Sequence, residues 1–468
     1  MSAEINYRRA RTGAIKVTRA MKMKRFKKGG IHPNPMKLTA GEPIRKTEAP
    51  HEVRLLLSQH IGAPAKCLVK VGEEVKAWQK IAEAGGFVSA PVHTPIAGTV
   101  KKIEPVRDAQ GLWKEAVIIE ARPLEEGEKA PEMAFDENNP VRNRDEIAAL
   151  TGKEIIDIVG EAGIVGLGGA GFPTRVKLTI PEGKKAEIFI INGAECEPFL
   201  TCDDALMRSH ASGIVAGLRL LMKSVSAPKA IIGIEANKPE AISAMRDAVI
   251  THPEIDVVEL RTRYPQGGEK QLIEAVTGRV VPAGGLPIDA GVVVDNVATA
   301  FAVYRAVKFG EPLVKRVVTV TGVDVSNGGN FIAANGMSTA ELVGFAGGFP
   351  ENTGKVIGGG PMMGRAMSNL EAPLVKGSGG ILIVPEKNSK RGAVSPCVRC
   401  CRCVAVCPMN LEPYLLQNFG EFGMAYESKE AGAMNCMECG CCSYICPSNR
   451  PIVDYIRLSK LQVKKAKV

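Results

Sequence analysis

The chain has 468 residues, 45% of them hydrophobic and 24% charged, which suits a folded protein of three or four domains and excludes a disordered or fibrous one. No run of eighteen apolar residues occurs, so no membrane-spanning helix is expected. The formal net charge of +10 sits mostly at the start, where residues 1–30 hold ten Lys or Arg against Glu4 alone and leave the remainder nearly neutral. Aromatics are only 5% and form no stacking platform, so that basicity does not indicate nucleic-acid binding. A tail of this kind is either solvated or laid on anionic lipid, and it lacks the apolar core of a secretory signal.

Residues 65–103 read as short alternating strands with turns at Gly72 and Gly98. The pattern resembles the lipoyl or biotinyl barrel-sandwich domain. Its FVSAPVHT stretch has no lysine to modify, so the resemblance implies a structural role. His93 within it is expected to pack rather than to bind a metal.

Next comes a capping pattern from Asn143 to Glu146, with Ile147, Leu150, Ile155 and Val159 at helical spacing. It leads into the glycine-dense stretch GIVGLGGAGFPTRVK. Gly166, Gly168 and Gly171 spell G-x-G-x-x-G, but a dinucleotide fingerprint follows a strand and this one follows a helix. A glycine loop still lets backbone N–H groups approach a ring or a phosphate closely.

Downstream, the apolar runs EIFII, AIIGI, DVVEL and GVVV alternate with helical patterns near residues 214–221, 239–250 and 269–276, which predicts an α/β layer on a mostly parallel sheet. INGAECEP, RYPQGGEK and DNVAT lie at the carboxyl ends of those strands, where such sheets bind ligands. With the glycine loop, they predict a cofactor site.

The last element is a repeated cysteine design. Cys397, Cys400, Cys403 and Cys407 before Pro408 return as Cys436, Cys439, Cys442 and Cys446 before Pro447. This C-x2-C-x2-C-x3-C-P form predicts two 4Fe-4S clusters with crossed ligation, each fourth cysteine serving the other cluster; structural zinc usually takes two separated C-x2-C pairs. Ten of the 13 cysteines lie between Cys397 and Cys446, a density that belongs in a reducing, bacterial-type cytoplasm. Cys401 and Cys441 fall outside the register, and Cys67, Cys196 and Cys202 are isolated. Leu411, Leu415, Phe419 and Phe422 predict a helix between the blocks, and Ile452, Ile456 and Leu461 one after them.

Several motifs in one order carry a resemblance. GLGGAGFPTRVK with NGAECEP is similar to the flavin loop and Asn-Glu-Glu segment of the NADH-binding flavoprotein subunit of respiratory complex I. GGIHPNPMKLTAGEPI, INGAECEPFLTCDD, YPQGGEKQLI and the paired cysteine blocks resemble the C subunit of the Rnf electron transport complex, from about Gly29 to the C-terminus. Residues 315–350 resemble the soluble-ligand-binding β-grasp (SLBB-type) domain of that superfamily, placed to brace the cluster module against the flavin domain.

The resemblance implies a multidomain α/β chain: a basic tail at 1–30, a barrel-sandwich domain at 31–130, a Rossmann-like FMN/NADH domain at 131–312, a β-grasp domain at 313–385 and a helical two-cluster ferredoxin-type domain at 386–468. It implies FMN held by Gly166, Gly168, Gly169, Gly171, Lys177, Asn192, Asn296 and Thr299, with NADH near Phe172, Glu195, Glu197 and Glu269. Val165, Leu167, Ala194 and Lys270 depart from the complex I pattern and bear on the nicotinamide contacts. No catalytic acid or base is singled out, because a flavin itself joins two-electron hydride chemistry to one-electron clusters. The implied activity is that of an NADH/ferredoxin oxidoreductase component of an ion-translocating complex, peripheral on the cytoplasmic side of the cell inner membrane, meeting partner subunits directly and ferredoxin indirectly. The alternatives are a soluble flavin and iron–sulfur reductase, such as a cobalamin reductase, whose barrel-sandwich segment would come late, and a non-catalytic electron-wiring scaffold.

Overall fold

The computed structural model describes residues 23–123 and 131–466. Most of the basic tail, residues 1–22, lies outside the described residues.

The barrel-sandwich domain closes a four-stranded sheet (Glu52–Leu56, Trp113–Glu120, Gly98–Arg107, Glu74–Val75) on a three-stranded one (Lys66–Cys67, Lys80–Glu83, Val92–His93). Alternation along these strands sends Val53, Leu55, Ile81, Val100, Val117 and Ile119 into one fully buried core. Gly72 sits in a turn as expected, but Gly98 begins a strand, where a Cβ would stand 2.1 Å from the Glu120 carbonyl oxygen. It is a close-approach glycine, not a turn. His93 is buried, and burial beside Lys376 and Lys80 depresses its pKa to about 3, so it packs as a neutral ring.

The helical pattern after Asn143 divides in two. Arg144–Ala149 carries the expected capping box from Asn143, and Thr151 then caps Gly152–Glu161 with a second one through Glu154. Two helices in close succession therefore stand where the spacing predicted one. The α/β layer follows: Ile255–Leu260, Lys229–Glu235, Ile188–Gly193 and Val292–Asn296, in that spatial order and all parallel. Phe189, Ile191, Ile232 and Val293 pack against Cys202–Ser224 and Val297–Phe309 in the largest core of the molecule.

The third body is a seven-stranded mixed sheet centred on Lys315–Thr321 and Gly329–Ala334. Ile44–Glu48, from the start of the chain, adds to it in parallel beside Gly329–Ala334. That long-range pairing has no local sequence signal.

In the cysteine-rich module the two expected helices form with shifted faces. Pro413–Glu421 buries Leu416, Gln417 and Gly420, while Phe422 is 75% exposed. Gly420 sets this face: a Cβ there would lie 2.2 Å from the Tyr455 carbonyl oxygen, so the helix meets its neighbour through backbone. Ile452–Ala466 buries Ile452, Ile456, Ser459 and Val463, and leaves Leu461 63% exposed. Ser459 and Val463, not Leu461, continue the stripe at 3.6-residue spacing.

Candidate functional site

Strand order fixes where a ligand can sit. The chain turns one way from Ile188–Gly193 to Lys229–Glu235 and the other way to Val292–Asn296, so the topological switch lies between the first and last of these, at their carboxyl ends. Asn192 and Asn296 occupy those two ends. Asn192 Nδ2 donates to the Gly267 carbonyl (2.8 Å), and Asn296 Nδ2 donates to Asp203 Oδ2 (2.7 Å) while its Oδ1 caps Ala298 N–H (2.8 Å). Lys177 Nζ reaches the Val294 carbonyl (2.7 Å), Glu269 (3.6 Å) and Asp295 (4.0 Å).

The glycine loop folds over the same edge. Gly166 N–H bonds to the Phe172 carbonyl (2.8 Å), closing the loop, and Leu167 N–H donates to Thr299 Oγ1 (3.0 Å). A Cβ on Gly168 would lie 3.3 Å from Asn296 Cβ, and one on Gly169 would meet nothing within 4 Å. Gly166, Gly168, Lys177, Asn192, Asn296 and Thr299 thus meet at the switch point, while Gly169 lies open and Gly171 ends the loop beside Gln59 and His60 of the barrel-sandwich domain. The loop leaves open backbone above the switch point, and Asp295 Oδ2 and both amide atoms of Gln266 are buried without partners. Such a cradle fits a flat, polar, phosphate-bearing cofactor of the FMN kind.

The acidic residues behave differently from one another. Glu269 stays half-exposed beside Lys177, and Phe172 closes the loop. Glu195, at φ +44°, turns back to accept from Asp203 N–H (2.8 Å) and Asp204 N–H (3.3 Å) at the start of helix Cys202–Ser224. Burial and the Glu195 charge push Asp203 well above the usual carboxylate range. Glu197 is held by the β-grasp domain: its carboxylate accepts from Met362 N–H (3.1 Å) and Met363 N–H (2.7 Å). Burial raises its pKa despite those bonds. The turn carrying both glutamates is held by Lys37, whose ammonium donates to the carbonyls of Glu195 (2.8 Å), Glu197 (2.9 Å) and Leu200 (2.6 Å), and by Lys238, bonded to the Ala194 carbonyl (2.7 Å). Lys37 falls within GGIHPNPMKLTAGEPI with no role predicted for it, since an ammonium that binds only carbonyls has no sequence signature.

The cysteines separate into two environments. One mostly apolar cleft is lined by Leu411, Val453, Ile456, the off-register Cys441 and the thiols of Cys407, Cys436, Cys439 and Cys442. These last four are the crossed set, three thiols of the second block plus the fourth of the first, and four sulfurs around an apolar cleft fit a 4Fe-4S cluster. Cys439 and Cys442 are buried; Cys397 and Cys400, beside Cys403 in the other set, are exposed. Cys403 and Cys446 both pack against the module core. The buried block leans on the α/β layer, where Tyr264 OH donates to the Cys439 carbonyl (2.9 Å). Met362 links Glu197 to the far side: its N–H meets that carboxylate and its carbonyl stands 2.9 Å from a Cβ built on Gly440. The β-grasp domain therefore does brace the cluster module. Cys196 lies in the same contact zone, accepting from Gly267 N–H (3.3 Å), while Cys202 lies within 4.8 Å of Glu195 and Asp203. Cys441 is buried outside the crossed set, and Cys401 is exposed.

Comparison with known proteins follows this map. Residues 24–122 match the RnfC barrel sandwich hybrid domain, 159–305 the Nuo51 FMN-binding domain and 317–366 the SLBB domain. The chain is 43% identical to the C subunit of the proton-translocating ferredoxin:NAD(+) oxidoreductase complex of Clostridium ljungdahlii, over 94% of each chain. It is 41% identical to the Na(+)-translocating counterpart of Acetobacterium woodii, over 93% of this chain and 96% of that one. It is 40% identical to the C subunit of the ion-translocating oxidoreductase complex of Rhodobacter capsulatus, over 92% and 82%. Fold and site together define a multidomain chain with a flavin-binding domain and a two-cluster cysteine module. It belongs to the RnfC family, the C subunits of Rnf-type ion-translocating oxidoreductase complexes. A barrel-sandwich domain at the front and near full-length identity to these relatives remove the cobalamin-reductase alternative.

Proposed function

We propose that this chain is the nicotinamide-handling subunit of a membrane-associated ion-translocating ferredoxin:NAD(+) oxidoreductase complex, passing electrons between NAD(H) and partner subunits by way of FMN and two 4Fe-4S clusters. The observation that carries the reading is one continuous contact zone. From the switch point, hydrogen bonds and packing run through Gly267, Cys196 and Tyr264 to the Cys439 cleft. FMN, when bound, accepts electrons in pairs and gives them up singly.

The chain's own residues have the following roles. Gly166, Gly168, Gly169 and Gly171 bring backbone to the cofactor, with Lys177, Asn192, Asn296 and Thr299 fixing the strand ends around it. Phe172, Glu195 and Glu269 frame the nicotinamide side, whereas Glu197 acts by holding the β-grasp hairpin. Cys397, Cys400, Cys403 and Cys446 hold the outer cluster, and Cys436, Cys439, Cys442 and Cys407 the inner one. Among the described residues no helix is long and apolar enough to cross a membrane, which supports a peripheral position; exposed thiolate ligands support the cytoplasmic side of the inner membrane. Anaerobically reconstituted protein is expected to bind FMN and about eight irons, and NADH to bleach the flavin and then reduce clusters detected by EPR. Zinc in place of iron, or no flavin binding, would refute the reading.

A further inference from the structure

Two buried cations of the β-grasp domain touch the glycine loop and, among the described residues, form no salt bridge. Lys376 is 1% exposed and Arg316 5%. Lys376 Nζ donates to the carbonyls of Pro91 (2.5 Å) and Gly163 (2.7 Å), where the barrel-sandwich domain, the α/β layer and the β-grasp domain meet. Arg316 donates to the carbonyls of Lys376 (2.9 Å) and Leu167 (3.3 Å). Among the described residues neither forms an ion pair within 4.0 Å, unlike the equally buried Lys315 and Arg305, which share Glu311. The contact at Gly163 tolerates no side chain: φ is +64°, and a Cβ would stand 2.5 Å from the Pro91 oxygen and 2.7 Å from Lys376 Nζ. Ile61 N–H holds the far end of the loop through the Gly171 carbonyl (3.1 Å).

An ammonium and a guanidinium buried on carbonyls alone are poorly compensated. Carbonyl dipoles offset part of the desolvation, and an anion nearby would offset the rest. The loop these cations support is built to receive one, since glycine backbone N–H groups bind phosphate. Resting on the FMN reading above, we propose that Lys376 and Arg316 are positioning residues that lock the glycine loop and take the cofactor's phosphate as their missing counter-charge, so that they favour FMN over unphosphorylated flavin.

The titratable groups facing Lys376 are few. His93 and His60 are both held towards neutrality by burial, and Lys80 is paired with Glu161 at 2.6 Å. Burial lowers the Lys376 pKa to about 7. Asp203 lies within electrostatic range of Arg316, and burial raises its pKa above the ordinary carboxylate range.

The test measures FMN and riboflavin affinity by flavin fluorescence quenching on cluster-loaded protein, in wild type, Lys376→Met, Arg316→Met and Lys355→Met. The last removes a lysine elsewhere in the β-grasp domain. Lys376→Met and Arg316→Met are expected to weaken FMN about tenfold or more, one pKa unit's worth of charge interaction, with riboflavin changed little and Lys355→Met like wild type. Wild type needs no mutation: its preference for FMN over riboflavin should fall as pH rises above about 7, and Lys376→Met should lose that part of the profile, which separates it from Asp203. Equal losses for both flavins, or none, overturn the inference. Failure of wild type to bind FMN at any pH overturns the functional reading instead.

Discussion

The two cysteine blocks have the same backbone and different surroundings. Arg399, Cys401 and Asn410 of the first have positive φ (53°, 57°, 55°), and Glu438, Gly440 and Asn449, each 39 positions on, repeat it (58°, 76°, 51°). Yet Cys397 and Cys400 are exposed, whereas Cys439 is buried against Tyr264 of the α/β layer, Cys442 in the module's own core, and Gly440 between them meets the Met362 hairpin. The repeat gives both blocks the same backbone; docking decides which block meets the α/β layer and which faces outward. One block is a junction and the other a port.

The sharpest way to break this comparison is to remove one cluster at a time. Cys439→Ala and Cys397→Ala should each lower iron from about eight to about four per chain. Only Cys397→Ala should retain NADH-driven reduction of its remaining cluster, followed by EPR. Equal behaviour of the two would abolish the distinction between junction and port.

Next in size are the equivalent residues at the left-handed turn. Gly440→Ala puts a Cβ at φ +76° and 2.9 Å from the Met362 carbonyl oxygen, which should destabilise docking of the module by about 1–3 kcal/mol. Cys401→Gly relieves the same conformation where nothing docks, and should stabilise by about 1 kcal/mol or less. Denaturant unfolding of both variants checks the opposite signs.

Tyr264→Phe removes the bond to the Cys439 carbonyl (2.9 Å) and should cost about 0.5–1.5 kcal/mol with iron content unchanged. A loss of iron would make Tyr264 part of cluster assembly rather than of docking.

The smallest effect is a pH slope. Burial raises the folded pKa of Glu197 above its ordinary 4.5, so above that value the folded state holds a proton that the unfolded chain releases. Its contribution to stability is therefore full below about 4.5 and is lost as pH rises through the raised value. Glu197→Gln should flatten this part of the stability–pH curve, and a slope unchanged in the variant would show that another group is responsible.

Much of the candidate site was legible because its signals are local. A glycine loop, Asn at two strand ends and eight cysteines in register are patterns over a few residues, set by turns and strand ends rather than by distant contacts. The helix faces of the cysteine module were misread at Phe422 and Leu461 because Gly420 and Ser459 allow backbone contact that no hydrophobic period describes. The resemblance of NGAECEP to an Asn-Glu-Glu segment put Glu197 beside the nicotinamide, and only the β-grasp hairpin reveals its partners.

Sequence alone therefore determined the kinds of site, since metal-binding registers and glycine turns depend on short-range geometry and the chemistry of single side chains. Tertiary structure alone decided what supports them: Ile44–Glu48 paired with Gly329–Ala334, Lys37 on three carbonyls, and Lys376 where three domains meet. Those contacts join residues hundreds of positions apart, and burial, a property of the assembled chain, sets the charge and hydrogen bonding of each.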